Sequence, residues 1–170
     1  DIEYPNYKIN DEKKNNSDLD FLDVDSVDGY AMLINKNKFN NDIYFDENFF
    51  LYLENDDLCI RQKKNNNKIY VAKKAKINHL GGKSHSDLYN KEIEFSRNWH
   101  WMWSKFYFNK KHFGYSKAFL IGIPSLTGSI IKFFYHFVTL NQYKKKIYMM
   151  RFLGLINSMI GKKSWYRPKI

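Results

Sequence analysis

The 170-residue chain is long enough to bury a core as one domain, and its single cysteine, Cys59, excludes an internal disulfide and fits a reducing compartment. Its net charge of +10 conceals an uneven distribution: residues 1–28 hold nine acids against three lysines, whereas Trp99 to Ile170 holds thirteen Lys or Arg and no Asp or Glu. So one-sidedly basic a tail points to a negatively charged partner, with anionic lipid and nucleic acid as the two candidates.

No basic leader followed by an apolar core opens the sequence. Residues 1–26 are polar, with Pro5 and a KINDEKKNNSD run, and predict a solvated opening segment. Asp23-Val24-Asp25 spells D-x-D, but in an acidic stretch directly before an apolar run it is better read as chance. Val27 to Asn35 is rich in Val, Tyr, Met, Leu and Ile and predicts a strand, with Asp28 at its end. Gly29 inside that strand marks a bulge or a close approach. Lys36 to Asn48 reads as a short helix and loop, anchored in the core by Phe39 and Phe45.

Phe45 to Arg61, FDENFFLYLENDDLCIR, is the most informative stretch. Phe49 to Leu53 are too continuously apolar for a solvent-facing segment and should be buried. Asn55 is a suitable N-cap, Asp56 and Asp57 suit the positive end of a helix, and Asp57 can pair with Arg61 one turn later. The helix terminus favours ionised carboxylates, while repulsion among adjacent acids opposes it. Repulsion is expected to win, poising the cluster for proton transfer near neutral pH.

Lys63 to Lys68 predicts a turn, and Ile69 to Ala72 a short buried strand. Ala75 to Asn78 predicts another, leading into His79-Leu80-Gly81-Gly82-Lys83-Ser84. A histidine at a strand end followed by two glycines can aim an imidazole into a cleft while the loop passes close to phosphate. Asn90 to Phe108 predicts a helix whose apolar face is Ile93, Phe95, Trp99, Met102, Trp103 and Phe106, its tryptophans serving mostly as core anchors. Beyond Gly114, Leu126, Ile130, Phe133, Phe134 and Phe137 recur at helical spacing, as do Met149, Phe152, Leu153, Ile156 and Ile160. With Pro124 and Gly128 interrupting the apolar run, two amphipathic helices lying on a membrane fit better than one that spans it. Lys144, Lys145, Lys146, Arg151, Lys162, Lys163, Arg167 and Lys169 would supply the electrostatic half of that attachment.

In order and spacing, VDGYAMLINKNKF, FDENFFLYLENDDLCIR, INHLGGKS, RNWHWMWSKFY and SWYRPKI together resemble the acceptor half of family 2 glycosyltransferases, of the GT-A type that builds bacterial cell-surface polysaccharide. The resemblance covers about Val27 to Asn109, and more loosely the chain to Ile170. It implies an α/β fold: the carboxy-terminal part of a GT-A, Rossmann-like domain followed by amphipathic helices. The nucleotide-binding half of such an enzyme is not found, so the chain is expected to be a carboxy-terminal portion. Residues 27–112 would be the acceptor- and metal-binding half of the catalytic domain, and residues 113–170 a basic, membrane-associated tail.

The activity so implied is inverting transfer of a sugar from a nucleotide-sugar donor to a glycan or lipid-linked acceptor, at the cytoplasmic face of the inner membrane. A carboxylate removes the acceptor proton and a divalent cation stabilises the departing diphosphate. The family pattern E-D-x-D-L departs here at Asn55, whose amide cannot take a proton. Glu54 is therefore the expected base, with Asp57 orienting the helix through Arg61 or binding acceptor hydroxyls. Asp28, Gly29, Asn55, Asp56 and Arg61 would line the substrate side, and Gly81, Gly82, Lys83 and Ser84 the donor phosphates. His79 would ligate the metal, manganese in preference to magnesium. Nucleic acid is not an expected partner, although a non-catalytic membrane- or nucleic-acid-binding basic module, or an inactive partner subunit, remains the alternative class.

Overall fold

The structure, a computed structural model, describes residues 20–39, 44–78 and 87–168. The chain divides into two compact units, one formed by Asp1–Glu47 and Glu54–Gly81 and the other by Asn48–Leu53 and Gly82–Ile170.

In the first unit, β1 (Phe21–Val24) pairs antiparallel with β2 (Ile69–Ala72), Phe21 opposite Ala72 and Val24 opposite Ile69. Between them in sequence come a 3-10 turn at Lys36–Lys38 and α1 (Glu54–Lys64). Helix α1 carries Glu54, Asp56 and Asp57 in its first turn and Arg61, Lys63 and Lys64 in its last, so its charges oppose the helix dipole at both ends. It ends in a turn at Asn65 and Asn66, the latter in the left-handed region that asparagine tolerates.

The second unit is a three-helix assembly of α2 (Asn90–Phe113), α3 (Tyr115–Val138) and α4 (Gln142–Met159). Gly114 alone separates α2 from α3, at φ +87° and ψ 162°, a conformation essentially restricted to glycine. The aromatic face expected of α2 is inside: Phe95, Trp99, Met102, Trp103 and Phe106 are all buried. The segment Asn48–Leu53 lies along the same helix. Phe49 packs edge-on against Tyr107 at 5.0 Å, and the Ser104 hydroxyl donates to the Leu51 carbonyl at 2.7 Å.

Residues 162–168 return along α2 and are fastened to it. Trp103 Nε1 donates to the Lys162 carbonyl at 2.9 Å, Tyr166 stacks on Trp99, and the Arg167 guanidinium lies 3.6 Å from the centre of the Phe50 ring. His100, fully buried, holds the middle of this segment: Nε2 donates to the Tyr166 carbonyl at 2.8 Å and Nδ1 accepts from the Ser164 hydroxyl at 2.9 Å. Burial drives the imidazole down from 6.5 to about 4, against the help of the Tyr166 carbonyl and with the added repulsion of Arg167. Below pH 6.5 the unfolded chain therefore takes up a proton that the folded one refuses. Stability from this group is complete above pH 6.5 and is lost as the pH falls toward 4, by at most about 3 kcal/mol. Denaturant titrations at several pH values should show that slope, and His100→Gln, which can keep both hydrogen bonds, should flatten it.

The α/β, Rossmann-like expectation is corrected by this architecture. Among the described residues there are four helices and one two-stranded antiparallel sheet, and no parallel sheet for helices to cover. Val27 to Asn35 forms no strand: it turns at Gly29 and Tyr30 and runs on as extended, mostly exposed chain, with Leu33 fully in solvent. Its β-favouring composition has no described strand beside it to complete a ladder. Ala75 to Asn78 is likewise exposed and forms no strand, whereas the opening segment contributes β1. Strand β2 is half-exposed, Phe45 and Phe50 are exposed, and α3 passes through Pro124 without a break.

Candidate functional site

The chain enters α1 through two consecutive non-glycine residues in the left-handed region, Tyr52 at φ 70° and Leu53 at φ 68°. Each costs on the order of 1 kcal/mol or more, and strain of this kind persists where the surroundings over-determine it. Helix α1 then begins at Glu54, two residues earlier than a cap at Asn55 would place it. Asn55 is not the N-cap. It lies inside the first turn, and its Nδ2 donates to the Val27 carbonyl at 2.7 Å.

That bond gives the Asn55 amide a structural use that an ionised carboxylate, an acceptor only, could not fill. Asn55→Asp should cost roughly 1–3 kcal/mol by setting a carboxylate against that carbonyl. Chemical denaturation would show this as a lower midpoint with an unchanged slope.

The first turn presents its acids to different surroundings. Glu54 is the first residue of α1, and its Oε2 is buried with no hydrogen-bond partner among the described residues. Asp56 accepts from the buried Ser26 hydroxyl; burial, with repulsion from Asp28, raises its carboxyl above the usual range despite that bond. Asp57 is fully buried and takes Arg61 Nε at 2.9 Å, while Arg61 Nη2 donates to the Tyr44 carbonyl at 2.6 Å. Asp57, its carboxylate committed to Arg61, therefore orients the helix. Cys59 is buried two residues further on, and burial pushes its thiol up, away from nucleophilic chemistry.

Asp28 is exposed at a turn, and Gly29 backs onto Asn55 so closely that a Cβ there would lie 3.4 Å from Asn55 Cβ. A cavity of about 360 Å³ opens in this unit between Asp25, Ser26, Asp56, Ile60, Lys63 and Lys64, with Lys63 paired to Asp25. His79, Gly81, Gly82, Lys83 and Ser84 lie outside the described residues. Among the described residues there is no group of three or more His, Cys, Asp or Glu that could hold a metal ion.

The second unit has its own cleft, of about 310 Å³, lined by Tyr52, Glu94, Arg97, Asn98 and Trp101. Tyr52 meets Trp101 edge-on at 5.3 Å. Arg97 Nε donates to the Tyr52 hydroxyl at 2.9 Å, and this bond raises the guanidinium further above its ordinary value. Asn98 Nδ2 donates to Glu94 Oε1 at 2.8 Å. The cleft combines two aromatic rings with a carboxylate, an amide and a guanidinium, each held in place. Its signal in the sequence was helical geometry. Trp99 and Trp103, four residues apart, share the buried face, and Trp101, two residues from either, must point elsewhere.

Comparison with known protein families, curated proteins and solved structures finds no match to this chain.

Proposed function

We propose that this protein is an inverting glycosyltransferase, using Glu54 to deprotonate an acceptor hydroxyl as it attacks a nucleotide-sugar donor, in the synthesis of cell-surface polysaccharide. The observation that carries the reading is Glu54 Oε2: a carboxylate oxygen buried without a hydrogen-bond donor, on the first residue of an acid-rich helix, directly after two strained residues. Such an atom costs stability and is suited to take a proton from a hydroxyl brought to it. Taken by itself, the Tyr52–Trp101 cleft of the helical unit has walls suited to a segment of carbohydrate, since a sugar offers an apolar face for a ring and hydroxyls for planar polar groups. A manganese or magnesium ion, with His79 as its protein ligand, would neutralise the charge on the departing diphosphate.

Attachment to an anionic membrane surface, at the cytoplasmic face of the inner membrane, is part of the same proposal. Helix α3 is inverted with respect to a soluble core helix. Ala118, Gly122 and Ser129 are its buried residues, while Leu120, Ile131, Phe134 and Val138 face outward. It is long and apolar enough to cross a membrane by length and composition. Several of the expected membrane cations are engaged within the unit: Lys146 pairs with Glu92, Arg151 turns toward Met102, and Arg167 lies on Phe50. Lys144, Lys162 and Lys163 are exposed, while Lys145 is half-buried with its ammonium over the Phe137 ring.

The cleft gives the carbohydrate reading its own test. In a transfer assay, Trp101→Ala should raise the acceptor KM about tenfold with the donor KM unchanged, the loss expected for one stacking contact. Unchanged acceptor KM would remove the cleft from the proposal.

A further inference from the structure

Helix α4 closes on a glycine turn that sends the chain back beside it. Gly161 sits at φ +74°, its N–H donates to the Ser158 carbonyl at 3.1 Å, and the Lys162 N–H donates to the Asn157 carbonyl at 2.9 Å. Just beyond this turn, Trp165 Nε1 donates to Asn157 Oδ1 at 3.0 Å, while Asn157 Nδ2 donates to the Leu153 carbonyl at 2.8 Å. The indole also meets Trp99 edge-on at 5.7 Å and Tyr166 at 5.9 Å. A side chain held from so many sides is expected inside, yet Trp165 is 59% exposed. Of the four tryptophans it is the only exposed one.

Its surroundings on α4 are apolar as well. Met149, Leu153 and Ile160 are exposed, and their spacing of four and seven residues puts them on one face of the helix, the face on which Asn157 holds Trp165. Lys162 and Lys163, both exposed, lie between this stripe and the indole in sequence. Residues 142–168 carry seven Lys or Arg and no Asp or Glu, so the patch has no carboxylate of its own to match those cations.

We infer that Trp165, Met149, Leu153 and Ile160 dock into the head-group zone of an anionic bilayer, with Lys162 and Lys163 on the lipid phosphates. The inference rests on the reading that the helical unit attaches to such a membrane, and adds to the outward face of α3 a second contact with a fixed anchor. Asn157 already satisfies the indole N–H, so the ring has no unpaired donor to desolvate as it enters the interface. Charge complementarity selects the lipid, because lysines beside an apolar stripe match a surface with anionic heads above hydrocarbon. A nucleic acid would meet the same cations and could stack on the indole, but it leaves the aliphatic stripe unmatched.

Tryptophan emission of the full chain would be followed with vesicles of phosphatidylcholine alone and of phosphatidylcholine with phosphatidylglycerol, comparing wild type with Trp165→Phe, which keeps an aromatic ring in place. Anionic vesicles should shift the wild-type emission to shorter wavelength, and lipids brominated near the top of the acyl chain should quench it more than lipids brominated near the end. Both effects should be absent from Trp165→Phe. Lys162→Gln/Lys163→Gln should weaken binding to the anionic vesicles by about tenfold or more. Binding of the wild type with no quenching of Trp165 would overturn the anchor and leave attachment through α3 standing, whereas no binding at all would overturn both. Loss of less than about twofold in the lysine variant would also contradict the docking as stated. A response of Trp165 to a single-stranded oligonucleotide but not to vesicles would put nucleic acid in the place of lipid and overturn the inference.

Discussion

Glu54→Gln should lower glycosyl transfer by about a hundredfold to ten-thousandfold, the usual contribution of a positioned general base, and leave donor binding intact. The substitution keeps shape and hydrogen-bonding capacity while removing the ability to accept a proton. Because Oε2 has no donor to lose, stability should hold or rise slightly. A structural role for Glu54 would give the opposite pattern, a lower unfolding midpoint with turnover preserved. The kinetic signature is a fall in kcat with donor KM unchanged, as expected for an interaction made in the transition state. Asp57→Asn serves as the contrast. Weakening the pair between the fully buried Asp57 and the part-exposed Arg61 should destabilise the protein by about 1–3 kcal/mol, so any activity lost there would track folding.

A second large effect, on stability, is expected at Gly154. A Cβ built on this residue would stand 2.1 Å from the Trp99 carbonyl oxygen and 2.9 Å from its carbon, so the backbones of α2 and α4 touch there. Alanine would gain about 1 kcal/mol of helix propensity, but the two helices would have to part, and overpacking against backbone costs about 3 kcal/mol or more. The net loss of about 2 kcal/mol should lower the melting temperature by roughly 4–8 °C. Trp99 also stacks on Tyr166, so the shift should loosen residues 162–168 and be visible as faster amide exchange there. A melting temperature that rises would show that propensity outweighs the contact.

The helical unit shows which parts of a fold are legible in sequence. The buried face of α2 could be read because Phe95, Trp99, Met102, Trp103 and Phe106 are large, apolar and spaced at one helical period. The face of α4 could not. Its buried residues are Met150, Gly154, Leu155, Ser158 and Met159, while Met149, Leu153 and Ile160 are exposed. A stripe chosen by hydrophobicity misses a close contact built on glycine and serine. Helix α3 goes further, with its small residues Ala118, Gly122 and Ser129 inside and Leu120, Ile131, Phe134 and Val138 outside, so a reading by hydrophobicity inverts its faces.

In the first unit the Asp57–Arg61 pair and the turn after α1 follow from local spacing, and both are present. The strand expected at Val27 to Asn35 needed a pairing partner that composition does not reveal. Strand β1 was hidden in acidic surroundings because Phe21-Leu22-Asp23-Val24 is short and its partner lies far along the chain. Asn55 had two uses open to it, a cap or a tether, and the left-handed turn at Tyr52 and Leu53 decided for the tether. No local signal announces two left-handed residues of that size.

Sugar transfer itself is most directly tested by incubating the protein, in membranes that carry it, with a panel of nucleotide sugars and manganese. Product glycan and released nucleoside diphosphate would be followed together by mass spectrometry. The proposal expects at least one donor to be consumed with equal amounts of sugar incorporated and nucleoside diphosphate released, and Glu54→Gln to abolish both. Consumption of no donor above the rate of spontaneous hydrolysis, or incorporation unaffected by Glu54→Gln, would contradict it.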